Sequence, residues 1–394
     1  MRLIHFADLH LGFRQYQRLT PEGINQREAD VARAFERAIE RTIELEPDLI
    51  VLGGDVFHSV RPSNPAIIRA FENFSRLARE VPHAIVVMVA GNHDTPRATE
   101  TGCILRLFEK LGIHVVESQP RRLTFEDRGL SILAVPDTLS GKVTLEPDPA
   151  FRYNVLVLHG EIAGVLPPHN DGDRVAIEYT PEEIGATRWN YVALGHYHVY
   201  HEIAPNACYS GSIEYTSPNI WAERREEKRL KIPGKGIVEF NLANGKRVFH
   251  PLRGLRTFID LPPIVARGLS AADVDVQIRA NVEQCPGGIE DAVVRQVVRD
   301  VPRHIAREFD HKAIREYKRR ALHFHVDARR PDSPGPRSLG GRRRSLSDIV
   351  RDKLHSRPLA SDVDRNSLVE LGLAYLTEAT AREEGALAAA VEGE

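Results

Sequence analysis

Residues 84–94 read AIVVMVAGNHD. A valine-rich apolar run stops, and a glycine, an amide, an imidazole and a carboxylate follow. The run is apolar on both of its alternating faces, as a strand covered on both sides is. A turn explains Gly91 and Asn92 but not the adjacent His93 and Asp94. Similar runs stand at RLIHFAD (2–8), DLIVLGGD (48–55), LSILAVPD (130–137), NVLVLHG (154–160) and YVALGHYH (191–198). Between the first three lie the amphipathic segments EADVARAFERAIERTIEL (28–45) and NPAIIRAFENFSRLAREV (64–81). Strands alternating with helices predict a largely parallel sheet. Beyond residue 200, ACYSGSIEYTS and GIVEFNLANGKRVFHPL read as strands and turns. They predict a second, more antiparallel sheet packed on the first. The expected class is α/β, two packed sheets flanked by helices.

The texture changes near residue 256. RTFIDL, AVVRQVVRDV and LHFHVDAR read as strands, with helices at SAADVDVQIRANVEQ and HKAIREYKRRA between them. That is a compact βαβαβ unit. RRPDSPGPRSLGGRRRS (329–345), dense in Pro, Gly, Ser and Arg, reads as a flexible basic linker. SLSDIVRDKLHS and DRNSLVELGLAYLTEATAREE then read as two tethered amphipathic helices. Their apolar residues (Leu346, Ile349, Val350 and Leu354, then Leu368, Leu371, Leu373 and Leu376) cannot enclose a core and need a partner surface. The expected organisation is a large domain over 1–255, a small one over 256–330, a linker over 331–345 and a helix-loop-helix over 346–384.

Composition narrows the class. At 394 residues the chain is long for a single core. Its formal net charge is −2, so any site for a polyanion is a local patch. The cysteines, Cys103, Cys208 and Cys285, are odd in number and widely spaced. A disulfide framework or a cysteine zinc site is not expected, and a reducing cytoplasm is. MRLIHFADLHLG is too short and interrupted for a signal peptide, and no run approaches the roughly 20 apolar residues of a membrane span.

The strand ends carry the chemistry. They give Asp8-Leu9-His10, Gly54-Asp55-Val56-Phe57-His58, Gly91-Asn92-His93-Asp94, His159 and Gly195-His196-Tyr197-His198. In open α/β sheets ligands bind at the carboxyl ends of strands. This many acids and imidazoles at one edge cannot be buried without cations. Imidazole, carboxylate and amide together suit first-row divalent ions, and a carboxylate shared by two ions suits a two-metal centre for displacement at phosphorus. Asp55, after a strand and a glycine, is the natural bridge. His58 and His93 are left as non-ligands that hold a phosphate or protonate a leaving oxygen. Asp94 is expected to fix the tautomer of its neighbour His93. Each motif alone is weak, since buried Asp and His occur for structural reasons; the ordered set, each member at a strand end, is specific.

In that order the motifs resemble the calcineurin-like metallophosphoesterase superfamily, over roughly residues 1–260. FADLHLGFRQY and GDVFHSVRPSNPA resemble, more narrowly, the SbcD-type DNA repair nucleases, relatives of the eukaryotic break-repair nuclease. The resemblance implies a β-sandwich flanked by helices, with Asp8, His10, Asp55 and His198 on one metal. It implies Asp55, Asn92, His159 and His196 on the second, typically both manganese. It gives His93 the phosphate and leaving group, with Asp94 behind it, and His58 the positioning of DNA or phosphate. It also implies a 3′-5′ double-strand exonuclease and single-strand endonuclease, a DNA-capping domain over the βαβαβ unit, and tethered helices that dock an SbcC-type, SMC-like ABC ATPase. A homodimer is implied as well, in the cytoplasm on the nucleoid.

Two stretches are candidates for DNA contact. Arg14, Tyr16 and Arg18 follow the first donors directly and can touch phosphate or stack on a base. Residues 303–330 hold nine Lys and Arg against four acids, among them Arg315, Lys318, Arg319 and Arg320. Without a base-reading motif, recognition of DNA form and ends is expected. The competing readings are a phosphatase or cyclic-nucleotide phosphodiesterase on the same core, and a mainly architectural DNA-end-binding subunit. The first needs no basic cap or tethered helices.

Overall fold

Along β1 (Arg2–Phe6) the side chains alternate between two cores. In this computed structural model, which describes residues 1–96, 102–137, 141–165, 177–331, 346–356 and 364–377, Ile4 and Phe6 face the helices α1 (Gln26–Glu44) and α2 (Asn64–Glu80). There they meet Ile50 and Leu52 of β2 (Leu49–Leu52) and Met88 of β3 (Ile85–Val89), under Phe35 and Phe74. Leu3, Leu49, Val51, Val87 and Val89 point the other way, into a core shared with a second sheet. Both helices start where a side chain can accept their free N–H groups: Asn25 caps α1, and Ser63 caps α2 with Pro65 in the first turn.

The first sheet continues with β4 (His114–Val116). The second holds β5 (Arg121–Phe125), β6 (Leu130–Val135), β7 (Tyr153–His159), β10 (Tyr191–Gly195), β11 (His201–Ala204) and β12 (Ala207–Tyr209), in the order β11-β12-β10-β7-β6-β5. A two-stranded pair, β8 (Glu161–Ile162) and β9 (Glu178–Tyr179), and the short helix α3 (Pro181–Ile184) lie beyond it. Ile162, Tyr179 and Ile184 cover its outer face, with Leu156, Leu158 and Val192 beneath them. The protein is thus a mixed α/β sandwich, as the alternating runs predict.

The second sheet differs from expectation. Its central strands β6, β7, β10 and β12 are parallel, and only the edge strands β5 and β11 run antiparallel. The hairpin β13 (Gly236–Asn241) and β14 (Arg247–Pro251) joins the first sheet instead, in the order β14-β13-β1-β2-β3-β4. Parallel strands leave the outer edge of β1 open, and an antiparallel hairpin is what closes it. Only Ala207–Tyr209 of the ACYSGSIEYTS segment is strand. A helix the sequence reading missed, α4 (Ile220–Leu230), follows, capped by Asn219. Its inward residues are Ile220, Glu223 and Glu227, so no apolar stripe marked it.

Residues 258–328 form three parallel strands, β15 (Phe258–Val265), β16 (Val293–Arg299) and β17 (His323–Ala328). The connecting helices are α5 (Ala271–Glu283), α6 (Arg303–Arg307) and α7 (His311–Arg320). β15 shifts register between Leu261 and Ile264, where Pro262 and Pro263 offer no N–H to the ladder. These elements have their own apolar core. A mixed seam seats them on the sandwich: Tyr215 and Ile220 pack with Phe258, Val293 and Leu322, and buried polar groups surround them. Fully buried Arg27 reaches Asp30 at 2.9 Å, the Tyr215 carbonyl at 2.7 Å and the face of Phe258. Arg256 grips Asp30 and donates to the Asp291 carbonyl at 2.9 Å.

Contacts divide the chain into two units, Met1–Arg330 and Pro331–Glu394. In the second, α8 (Leu346–Ser356) and α9 (365–377) form a helix pair. Leu354 lies so close to Gly372 that a Cβ there would come within 2.4 Å of its Cδ1, and Arg365 donates to the Leu354 carbonyl. Residues 332–345 of the expected linker, and 357–363 and 378–384 of the expected helix-loop-helix, lie outside the described residues. Among the described residues no helix is long and apolar enough to cross a membrane.

Candidate metal centre

The strands that end in candidate donors are stitched to one another beyond their ladders. Asp8 N donates to the Gly54 carbonyl and His10 N to the Asp55 carbonyl, both at 2.9 Å, while the Asp8 carboxylate accepts the His196 N–H at 3.0 Å. These turns are sharp. Asp8, His10, Asp55 and His196 have φ of 53°, 47°, 50° and 111°, a region costly for residues with a Cβ. Glycine makes the approach possible. A Cβ on Gly91 would lie 2.1 Å from Asp55 Oδ1, and one on Gly54, at φ 102°, would lie 2.3 Å from His159 Nδ1.

The seven expected donors come together. His10 Nε2 and His198 Nε2 are 3.0 Å apart. Asn92 Oδ1 lies 3.0 Å from His159 Nε2 and 3.3 Å from His196 Nδ1. Asp55 Oδ2 sits between the two groups, 3.8 Å from His10 Nε2 and 3.6 Å from His159 Nε2. Donor atoms of Asp8, His10 and His198 form one cluster, and those of Asp8, Asp55 and His159 another.

Ring tautomers follow from the outer partners. His159 Nδ1 is 2.8 Å from the Gly53 carbonyl, which only accepts, so Nδ1 carries the proton and the Nε2 lone pair faces Asn92 and Asp55. His196 Nε2 donates to Glu161 Oε1 at 3.1 Å, which turns the Nδ1 lone pair inward. His198 Nδ1 lies 3.5 Å from Glu223 Oε1, with Nε2 inward. Converging lone pairs and two buried carboxylates fit divalent cations and little else. The electrostatics agree. Burial, then Asp55, pushes Asp8 well above the usual carboxylate range. Burial, then His198, pushes His10 well below the usual imidazole range, and burial lowers His159 to about 4. Burial alone would raise Asp55, yet His159 and His93 hold it low.

His58 and His93 stand beside His10, their rings stacked with centroids 5.2 Å apart. His93 Nδ1 lies 2.8 Å from the His58 carbonyl, and its backbone N–H donates to Asp55 Oδ1 at 2.9 Å. Asp94 does not do what its position suggested. Its carboxylate accepts the N–H groups of Val56, Phe57 and Gly91, at 3.0, 2.9 and 3.1 Å, so it clamps two strand-end turns together. The tautomer of His93 is set by the carbonyl of His58. Burial, then Asp55, raises Asp94 to about 7. His5 is buried in the sandwich core, where its Nδ1 meets the Tyr191 hydroxyl at 3.0 Å, and burial lowers it to about 3.

The loop candidates are placed elsewhere. Arg14 pairs with Glu28 at 2.7 Å and keeps most of its side chain in solvent. Tyr16 stacks on His323 with centroids 4.0 Å apart, and Arg18 donates to the carbonyls of Arg319 and Ala321 and to Asp291. Both belong to the seam with residues 258–328. Arg315, Lys318, Arg319 and Arg320 are exposed on α7, the last two paired with Glu316 and Glu290. The sequence reading missed Glu161, Glu223 and Lys235. Lys235 Nζ is buried, 2.5 Å from Glu223 Oε2 and 3.2 Å from Glu227 Oε1, and donates to the His198 carbonyl at 2.6 Å. The signal available was an acid two residues after His159; nothing local marked the other two.

Comparison with known proteins bears on the same residues. The calcineurin-like phosphoesterase family model matches residues 1–231. Proteins described as DNA double-strand break repair protein Mre11 are similar. That of Methanopyrus kandleri is 29 % identical over 61 % of this chain and 54 % of its own length. That of Methanocaldococcus jannaschii is 26 % identical over 61 % and 63 %, and that of Thermoplasma acidophilum 28 % over 62 % and 62 %. The match thus spans less than two thirds of these curated relatives.

Proposed function

Since the chain belongs to the calcineurin-like phosphoesterase family, we propose that it is a metal-dependent DNA nuclease that processes DNA ends in double-strand-break repair. The observation that carries the reading is the pair of donor clusters that share Asp8, with Asp55 between His10 and His159 and His93 beside them. Asp8, His10, Asp55 and His198 would hold one divalent ion, and Asp55, Asn92, His159 and His196 the other. Manganese is the ion we propose, and the donor set accommodates it. Bound ions would supply Lewis acidity, drawing charge from the phosphoryl oxygens and acidifying an attacking water.

The chain's own groups do the rest. The His58 carbonyl holds His93 Nδ1–H and so fixes the ring, which leaves His93 Nε2 as the atom that would give a proton to the departing oxygen. His58, stacked alongside, steers the phosphate. Asp94 fixes the turns that carry both histidines. DNA, rather than a small phosphoester, is supported by the relatives' description and by the basic exposed face of α7, with Arg14 on the neighbouring loop. The preference expected is for form and ends over sequence.

Two partners complete the proposal. Ile68 and Phe71 stand exposed on α2, which suits a homodimer. Leu371 and Tyr375 stand exposed on α9, which suits docking of an SMC-like ABC ATPase in the cytoplasm, on the nucleoid. The direct test compares duplex DNA ends with phosphomonoesters, each with manganese. Faster cleavage of DNA is expected; a clear preference for monoesters overturns the reading. Truncation near residue 335 should leave ion binding intact and abolish co-purification with the ATPase.

A further inference from the structure

The two histidines of Gly195-His196-Tyr197-His198 face different clusters, and each has a glutamate behind it. Glu161 Oε1 takes the outer N–H of His196 at 3.1 Å. Glu223 Oε1 lies 3.5 Å from the outer nitrogen of His198. A carboxylate in that position fixes the ring's orientation and raises the basicity of the inward lone pair. Resting on the two-metal reading above, we propose that Glu161 and Glu223 are positioning residues, each setting the affinity of one of the two ions.

The two supports differ in construction. Glu161 stands at the start of β8 with 14 % of its side chain exposed. Glu223 projects from α4 and is 5 % exposed, and its second oxygen is locked by Lys235. Lys235 also pairs with Glu227 and lies over the ring of Tyr215 at 4.5 Å, while Tyr215 donates to Glu227. Two buried glutamates against one buried lysine leave one negative charge. His198 is the group through which that charge meets a cation. Lys235 donates to the His198 carbonyl as well, so the same network holds the backbone of this residue and places a carboxylate oxygen against its ring. A carboxylate kept there merely as the lysine's counter-ion has no need to face the ring, since Glu227 already serves.

The test counts ions directly. Metal-free protein is titrated with Mn²⁺ while the free ion is followed by electron paramagnetic resonance. Wild type should take two ions per chain. Glu223→Gln should weaken one of them about 10–100-fold and leave the other. Glu161→Gln should weaken the other, and the double variant both. In a His198→Ala background Glu223→Gln should change nothing further, which a purely structural role would not reproduce. If both variants take two ions with wild-type affinity, the proposal is overturned, whatever their melting temperatures. Should Glu223→Gln fail to fold, Glu161→Gln decides: two ions at wild-type affinity overturn the proposal. A wild-type chain that takes fewer than two ions overturns the two-metal reading, and the proposal with it.

Discussion

The candidate metal centre and the polar part of the seam that seats residues 258–328 are both buried, and they are assembled by opposite means. At the centre, lone pairs face one another, two carboxylates lie together, and Asp8 is held in an environment that disfavours its charge. Such a set is of the kind that bound cations complete. The seam closes on itself. Arg27 meets Asp30 and a carbonyl, and Arg256 shares Asp30. The difference teaches which property each region controls. On the proposed function the centre governs ion binding and chemistry, while the seam governs stability.

Substitutions can break or sharpen that division. The largest effect is expected from Asp55→Ala, which removes the carboxylate lying between His10 and His159. Phosphodiesterase activity should fall on the order of 10³-fold or more, with at most one ion retained in a calorimetric titration. His93→Ala should lower kcat by about 10²–10⁴-fold and leave two ions bound. If both ions are lost, His93 is a ligand. Arg27→Met should leave ion binding unchanged and cost about 3–5 kcal/mol in urea denaturation, because Glu214 and part of Asp30 then lie buried without their cation. A loss under about 1 kcal/mol would mean that the seam is held elsewhere.

The smallest effect concerns pH. Burial, then His325 and Lys318, lowers His323 to about 4 from an ordinary 6.5. On acidification the unfolded chain therefore takes the proton first. Stability should fall as pH drops from about 6.5 towards 4 and level off below that. His323→Gln should flatten that slope in thermal melts; an unchanged slope would clear the Tyr16–His323 stack of any part in it.

The same division explains what could be read from sequence. Each donor of the centre ends an apolar run and follows a glycine or another polar residue within a few positions, so strand and motif announced each other. The seam has no such grammar. Arg27 and Phe258, or Tyr16 and His323, are ordinary residues until the chain brings them together. Tyr16 and Arg18, on the loop that follows the first donors, look like groups for DNA from sequence alone, and only the fold shows them in the seam. The antiparallel hairpin was assigned to the wrong sheet because alternation reports that a strand is half-buried, not which edge it joins. Glu223 was missed because α4 buries acids where amphipathic helices bury leucine. Asp94 follows His93, yet its carboxylate turns to the N–H groups of Val56, Phe57 and Gly91: adjacency in sequence does not say which way a carboxylate turns.

One feature of the first sheet bears on the order of events in synthesis. β1 lies between β2 and β13, and its antiparallel register pairs Arg2 with Asn241. A nascent chain can zip β1 to β2 and β3 early, but the far edge of β1 waits until β13 leaves the ribosome. His196 and His198 emerge only shortly before. Until then an apolar strand edge stands open, the kind of surface that mispairs or calls for a chaperone. The non-local pairing that delays closure also means that no partly made chain carries a finished centre, so the site of a phosphoesterase of this build is not complete before nearly all of its sandwich has been translated.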